Sequence, residues 1–294
     1  MMLKKRILIT GATGFLGSHL TKALAERGDE ITILKRSSSD LTRLSSLVSK
    51  LDVLEIEGLD FPTSFLKGRN VDAVIHTATC YGRNGESPSE IFSANTAFPL
   101  KLLESSVQAG VKIFINTDTI LDKYLNLYSL SKNQFLQWGR YFSKQNKMNF
   151  INMKLEHFYG PGDDNSKFTS HVITSCILNA PLLKLTPGDQ RRDFVYIDDV
   201  VAAYLAVLKG TDDTKKWFGE YEVGSGNPIS IREFVEKVHK LTSSKTKLEF
   251  GAFPYRDGEV MNSQANISAL ELLKWDCKYN LDLGLELTIE SYKQ

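Results

Sequence analysis

A doubly wound parallel α/β sheet with a smaller C-terminal domain is the fold this sequence predicts, on three observations. A glycine-rich turn joins an apolar strand to a helix at the start of the chain. Short β-rich runs then alternate with helical patterns, and a Tyr–Lys pair at helical spacing follows the fifth run. That alternation is the mark of a parallel sheet with helices on both faces.

The first element is residues 7–20, ILITGATGFLGSHL, in which Gly11, Gly14 and Gly17 are spaced G-x-x-G-x-x-G around Thr13, Phe15 and Leu16. One glycine makes the turn, one lets backbone approach a pyrophosphate, and one lets the helix pack on the strand. Free N–H groups and the helix dipole favour negative charge there, so the stretch reads as a Rossmann-type dinucleotide site. A βα turn that binds nothing is the plain alternative.

Residues 30–35 (EITILK) form the second predicted strand. Where an NAD site usually carries an acid for the ribose 2′-hydroxyl, this chain has Lys35 and Arg36. A cation suits the 2′-phosphate of NADP. A solvated surface charge is the other reading of Arg36. A third strand is expected over 51–56, with Asp60 and Phe61 in the loop beyond it as cofactor contacts. The fourth, 71–76 (VDAVIH), leads into Thr77 and Ala78, small residues that let the chain run close under a cofactor. A long helix over 88–109 and a fifth strand over 111–115 follow.

That strand delivers Asn116, Thr117, Asp118 and Thr119 to its C-terminal end, where such sheets place their sites. Tyr128 and Lys132 come next, the only Y-x-x-x-K in the chain. At i and i+4 they share a helix face. An ammonium beside a phenol, with the positive charge of an oxidised nicotinamide, is expected to lower the phenol's pKa and permit proton exchange with an alcohol or ketone. The same helix carries Phe135, Trp138 and Phe142 at core-packing spacing.

Together these motifs resemble the extended short-chain dehydrogenase/reductase family, and the resemblance spans nearly the whole chain. It implies an NADP-binding domain over 1–155 with a returning segment at about 194–223. It also implies a nucleotide-sugar domain over about 156–193 and 224–294. Thr117 is similar to the family's catalytic hydroxyl and Tyr128 with Lys132 to its catalytic pair. The segment 192–200 (RDFVYIDDV) and residues 254–259 (PYRDGE) resemble its two arginine motifs, in which Arg192 and Arg256 clamp the nucleotide diphosphate. A surface ion pair is the alternative for either arginine. The resemblance also implies a homodimer built on the Tyr128 helix and the helix before it.

Two departures refine this. Dehydratases of the family carry Thr-Asp-Glu after the fifth strand, whereas here Thr119 follows Asp118, so dehydration is not expected. His157 stands where the family often has Asn; with Asp118 it is assigned to substrate, a packed histidine being the alternative. The strings 155–163 (LEHFYGPGD), 116–118 and 249–252 resemble the family's 4-ketoreductases. Those reduce the C4 ketone of nucleotide-linked 4-keto-6-deoxyhexoses with NADPH in bacterial O-antigen synthesis. The alternatives are a 4-epimerase that retains NAD and a non-catalytic NADP-binding protein.

The rest of the chain fits. Helices are expected over 198–208, over 231–241 with Ser230 and Glu233 as a capping box, and over 270–275 and 281–292; a strand is expected over 220–223. Lys215 and Lys216 read as solvated charge. With 294 residues, 42% hydrophobic and 24% charged, the chain is an ordinary globular protein, and a formal charge of +1 gives no nucleic-acid or membrane surface. Cys80, Cys176 and Cys277 fit neither a disulfide framework nor a metal motif, so a cytoplasmic location is expected. No G-x-S-x-G elbow, metal spacing or membrane-length apolar run is present.

Overall fold

The computed structural model describes residues 4–57, 61, 64–145, 147–211 and 217–293. Asp60, Lys215 and Lys216 lie outside the described residues. The chain divides into two compact units, residues 1–154 with 207–221 and residues 155–206 with 222–294.

The first unit is built on β1 (Arg6–Thr10), α1 (Phe15–Glu26), β2 (Glu30–Arg36), β3 (Asp52–Ile56) and β4 (Ala73–His76). It continues through α2 (Pro88–Phe92), a π-helical turn (Ser93–Ala97), α3 (Phe98–Gln108), β5 (Ile113–Thr119), α4 (Leu127–Lys144) and β6 (Asn149–Leu155). The remaining elements are β7 (His157–Tyr159), α5 (Phe168–Ile177), β8 (Leu182–Leu185), β9 (Arg191–Arg192), β10 (Phe194–Tyr196) and α6 (Ile197–Gly210). After them come β11 (Phe218–Val223), β12 (Ile229–Ser230), α7 (Ile231–Leu241), β13 (Lys247–Phe250), α8 (Ser268–Glu271) and α9 (Leu281–Ser291).

The main sheet is parallel and ordered β11-β6-β5-β4-β1-β2-β3. The chain runs outward from β1 to β3 and then returns to lay β4 on the other side of β1. That reversal makes a crevice at the carboxyl ends of β1 and β4, where open α/β sheets bind ligands. Register places Thr10 beside His76 at its floor. Residues Ile7 to Thr10 and all of β4 are buried, as central parallel strands covered on both faces must be.

The glycine turn is dictated by contact. Gly11 has φ +71°, and a Cβ there would lie 2.5 Å from the Ala78 nitrogen. A Cβ on Gly17 would lie 2.1 Å from the Gly11 carbonyl oxygen. α1 therefore seats directly on the turn that precedes it. On the other flank, Phe114 stacks on Phe150 at 5.6 Å and Phe135 meets Phe150 edge-on at 5.7 Å. Gly139 lets α4 descend onto that ring, since a Cβ would lie 2.1 Å from the Phe150 Cζ. Phe135 is thus core and Phe142 packs at its margin, while Trp138 stays exposed.

The second unit has small two-stranded pairings, β10 with β7, β12 with β9 and β13 with β8. Phe194 stacks on Phe234 at 4.3 Å in its core.

Several expectations are corrected. The returning segment is 207–221, not 194–223, because Phe194–Tyr196 pairs with His157–Tyr159 instead of joining the main sheet. The helix over 88–109 is interrupted by the π turn, whose buried Asn95 and Thr96 tie it to neighbouring chain. β6, unread in the sequence, fills the sheet between β5 and β11. The expected helix over 270–275 is a single turn, and only the Ser230 half of the capping box forms, the Ser230 hydroxyl accepting from the Glu233 N–H at 3.0 Å.

Gly17→Ala should lower the unfolding free energy by roughly 1–3 kcal/mol, the usual cost of overpacking. Urea unfolding measures this, and an unchanged midpoint would contradict the contact.

Candidate functional site

In the first unit, the carboxyl ends of β1, β2, β4 and β5 bring together most residues singled out from the sequence. At α1 the extended Gly14 occupies the N-cap, and no side chain caps the helix. A Cβ on Gly14 would meet only the Gly11 oxygen, at 3.3 Å. A side-chain-free turn opening onto an uncapped helix N-terminus fits a diphosphate. Phe15 and Leu16 are buried, so their side chains serve packing.

The two cations at the end of β2 separate in role. Lys35 is buried; its ammonium donates to the Arg36 and Ser37 carbonyls at 3.1 and 3.4 Å and pairs with Glu55 at 2.7 Å. Arg36 is exposed and has no ion-pair partner among the described residues. Lys35 therefore shapes the loop, and Arg36 is the cation open to a phosphate. Phe61 is buried against Phe65 and Phe98. Thr77 donates its hydroxyl to the Thr10 carbonyl at 2.8 Å, holding Thr77 and Ala78 against Gly11.

His76 is fully buried, its Nδ1 2.7 Å from the Thr10 hydroxyl and its Nε2 without a hydrogen-bond partner among the described residues. Phe98, Phe114 and Phe135 surround the ring. Burial, with help from Lys132, holds its pKa well below the ordinary value, so the imidazole is neutral.

β5 runs on to Thr119, so Thr117 and Thr119 share one side of the strand and Asn116 and Asp118 the other. Asn126 and Ser129 cap α4 reciprocally, starting the helix so that Tyr128 and Lys132 lie along β5. The π turn fixes that helix from behind. Asn95 donates to the Ser131 hydroxyl at 3.0 Å and to the Cys80 carbonyl at 2.7 Å, and Thr96 donates to the Ser131 carbonyl at 2.9 Å.

Tyr128 is packed beneath Tyr81, ring centroids 5.1 Å apart, and Arg83 lies over Tyr81 at 4.8 Å. Burial pushes the Tyr128 phenol well above its usual pKa, Tyr81 and Asp118 adding to the effect, while a hydrogen bond with Thr119 and the charge of Arg83 oppose it. Lys132 is 1% exposed. Burial pulls its ammonium down to about 8, with Asp118 working the other way. Without the nicotinamide, desolvation dominates at Tyr128 and keeps the phenol protonated.

Asp118, expected at substrate, is buried and engaged within the protein. It accepts from the Asn152 amide at 2.9 Å and from the Thr119 N–H at 2.8 Å. Tyr81 and Asn95 carry no signal in the sequence, and Thr119 is read there only as the residue standing in place of a dehydratase's second acid. The hydrogen bond of Thr119 with Tyr128 is not legible in the sequence, because β5 extends four residues beyond 115.

In the second unit the motif acids are staples. Asp193 accepts from the Ser225 N–H and hydroxyl at 2.7 and 2.6 Å, the Gly226 N–H at 2.9 Å and the Ala265 N–H at 3.1 Å. Asp199 accepts from the Lys278 and Tyr279 N–H groups, both at 2.9 Å. Arg192 is buried and donates to the carbonyls of Arg191 and Val260 and to the Glu259 carboxylate. The expectation of a phosphate clamp is corrected for Arg192, because the Arg191 carbonyl and residues 259 and 260 of the turn over 254–260 take its terminal nitrogens. Arg256, in the same turn, is exposed and has no ion-pair partner among the described residues. His157 is half-buried, with Nδ1 3.1 Å from the buried Glu156 carboxylate, which also accepts from Ser263. Among the described residues no group of His, Cys, Asp and Glu is arranged to hold a metal, and no helix is long and apolar enough to cross a membrane.

A family model described as the NAD dependent epimerase/dehydratase family matches residues 7–224. The chain belongs to that family. It is thereby an extended short-chain dehydrogenase/reductase, an enzyme that works on nucleotide sugars with a nicotinamide dinucleotide cofactor. It is 36% identical to a CDP-abequose synthase of Salmonella muenchen, with 96% of each chain covered. It is 32% identical to a CDP-abequose synthase of Salmonella typhimurium, with 97% of each covered. A UDP-glucuronic acid 4-epimerase from Bacillus cereus, solved with UDP-glucuronic acid and NAD, shares the family fold at TM-score 0.85 and 23% identity, over 98% of this chain and 99% of that one.

The neutral His76 has a measurable consequence. The folded ring takes a proton only well below the ordinary 6.5, whereas the unfolded chain takes it near that value. The stability from the neutral ring is therefore present above about pH 6.5 and lost below it, with a slope of up to about 1.4 kcal/mol per pH unit. His76→Asn should flatten the slope of unfolding free energy between pH 7.5 and 5, and an identical slope in both proteins would contradict the assignment.

Proposed function

We propose that this enzyme reduces the C4 ketone of a nucleotide-linked 4-keto-6-deoxyhexose with NADPH. The substrate proposed is CDP-4-dehydro-3,6-dideoxy-D-glucose and the product CDP-abequose, in bacterial O-antigen synthesis. The observation that carries this is the protonated Tyr128 beside the buried Lys132, with Thr119 standing where a dehydratase has its second acid. The two abequose synthase relatives, matched over nearly their whole length, support the sugar and the base.

Bound NADPH supplies the hydride. Tyr128 gives its phenolic proton to the ketone oxygen, so its O–H bond breaks as the alcohol O–H forms. Lys132 opposes the phenolate with its charge and holds the nicotinamide ribose, and the Thr117 hydroxyl polarises the carbonyl. Gly11, Thr13, Gly14 and Gly17 receive the diphosphate of the cofactor, Arg36 its 2′-phosphate, and Thr77 and Ala78 run beneath it. Arg256 meets the substrate diphosphate, Arg192 holds the turn that presents it, and His157 contacts the sugar nucleotide. A second reading, a 4-epimerase that retains NAD, is favoured by the likeness of the fold to the UDP-glucuronic acid 4-epimerase. We place the enzyme in the cytoplasm as a homodimer joined through α4, which exposes Trp138 and Tyr141.

Incubation with NADPH and a panel of 4-keto sugar nucleotides, with products resolved by NMR, tests the reaction. Stoichiometric NADPH oxidation with reduction at C4 is expected; no oxidation with any member would refute it. Tyr128→Phe should cost roughly 10²–10⁴-fold in kcat with little change in cofactor binding. Arg36→Ala should weaken NADPH by about 10–100-fold, the worth of charged hydrogen bonds, and leave NADH nearly unaffected. Equal losses for both cofactors would remove the 2′-phosphate assignment.

A further inference from the structure

We propose that Tyr255 is a positioning residue for Arg256: its hydroxyl, latched to Asp189, fixes the chain beside Arg256 so that the guanidinium is presented to the diphosphate of the sugar nucleotide. The inference deepens the reductase reading and rests on it for the ligand, while the contacts that define the latch stand by themselves.

Residues 251–263 lie along residues 185–192 as a strap. At one end the Phe253 N–H donates to the Leu185 carbonyl at 3.2 Å. At the other the Arg191 N–H donates to the Met261 carbonyl at 2.8 Å and the Ser263 N–H to the Arg191 carbonyl at 3.1 Å. Two side-chain ties stand between these ends. The Tyr255 hydroxyl donates to the Asp189 carboxylate at 2.9 Å and accepts the Asp189 N–H at 3.1 Å. Arg192 donates to the Glu259 carboxylate and to the Val260 carbonyl. Arg256 falls between the two ties. It opens a four-residue turn closed by the Glu259 N–H on the Arg256 carbonyl at 3.0 Å, with Gly258 at φ +72° supplying the left-handed step. The backbone of Arg256 is therefore held on both sides while its side chain is exposed.

Asp189 is a firm base for the latch. Gly188, just before it, has φ +90°, and its carbonyl accepts the Arg232 N–H at 3.0 Å. The Pro187 carbonyl accepts the Arg232 guanidinium at 2.8 Å, and the Gln190 carbonyl accepts the Ile231 N–H at 2.9 Å. The first turn of α7 thus fixes residues 187–190. A phenol suits the other half of the latch, because one hydroxyl can both give and take a hydrogen bond. A cation on a loop that must be ordered during binding loses affinity to the ordering cost, and one already held does not. With the latch gone, Arg256 would be in place for only a fraction of the time, and the apparent affinity for a diphosphate falls by that fraction. Neither Tyr255 nor Asp189 alters the charge of Arg256, so the effect should pass through Arg256.

The test is calorimetric titration of CDP into the NADP-loaded enzyme, for wild type, Arg256→Ala, Tyr255→Phe, Asp189→Ala and the double variant Tyr255→Phe with Arg256→Ala. Arg256→Ala should weaken CDP by about 10–100-fold, and Tyr255→Phe and Asp189→Ala by about 3–10-fold. In the Arg256→Ala background Tyr255→Phe should add less than about twofold, since a missing guanidinium cannot be misplaced. In turnover the Tyr255→Phe loss should fall on KM for the sugar nucleotide and not on kcat, with NADPH affinity held. A merely structural Tyr255 would weaken CDP equally in both backgrounds. That result overturns the latch, as does unchanged CDP affinity in Tyr255→Phe beside a weakened Arg256→Ala. Should Tyr255→Phe fail to fold, Asp189→Ala alone and combined with Arg256→Ala decides in its place. Wild-type affinity in Arg256→Ala would instead remove the diphosphate assignment of Arg256, and the latch with it. A wild type that binds no CDP would defeat the CDP-sugar reading, and the same comparison with UDP then decides the latch.

Discussion

Burying one ammonium is the constraint on which the first unit turns. Lys132 lies on α4 with almost no solvent contact, and a buried charge is retained only where nearby groups offset lost hydration. α4 is accordingly fixed on several sides. A reciprocal cap starts it, Asn95 and Thr96 of the π turn grip Ser131, and Gly139 lets its far half settle onto Phe150. Loosening any of these would move the phenol and ammonium together, because they stand one helical turn apart. The π turn costs regular helix geometry and places two polar side chains where they hold the reactive helix, a use such turns often have.

The second unit answers a different problem, loops with little regular structure. Its strands are two to four residues long, so buried carboxylates do the joining. Asp193 gathers residues 225, 226 and 265, and Asp199 gathers 278 and 279. The arginine-aspartate motif that looks like ligand chemistry is thus mostly architecture, with Arg192 spent on Glu259 and Arg256 left open.

What the sequence made legible follows the strength of local signals. The Gly11–Gly17 turn was readable because a diphosphate turn demands those glycines at that spacing, and β1, β2, β4 and β5 because buried parallel strands are short apolar runs. β6 went unread although NFINMKL is entirely apolar or amide up to Lys154; its place depends on β5 and β11, which no local pattern specifies. The Tyr128–Lys132 pair was found by spacing, but its electrostatics were not, since desolvation is a property of everything packed around a group. Asp118 shows the same limit: a strand read as ending at 115 cannot reveal which way residue 118 faces. The separate fates of Lys35 and Arg36, adjacent and alike in charge, were settled by Glu55 on the neighbouring strand.

The central claim is that hydride comes from exogenous NADPH to C4 while Tyr128 provides the proton. Reaction of the 4-keto substrate with NADPH deuterated at the transferred position of the nicotinamide, followed by NMR of the product, tests it most directly. One deuterium at C4 of the sugar is predicted. A product epimeric at C4 that carries no deuterium would contradict the account.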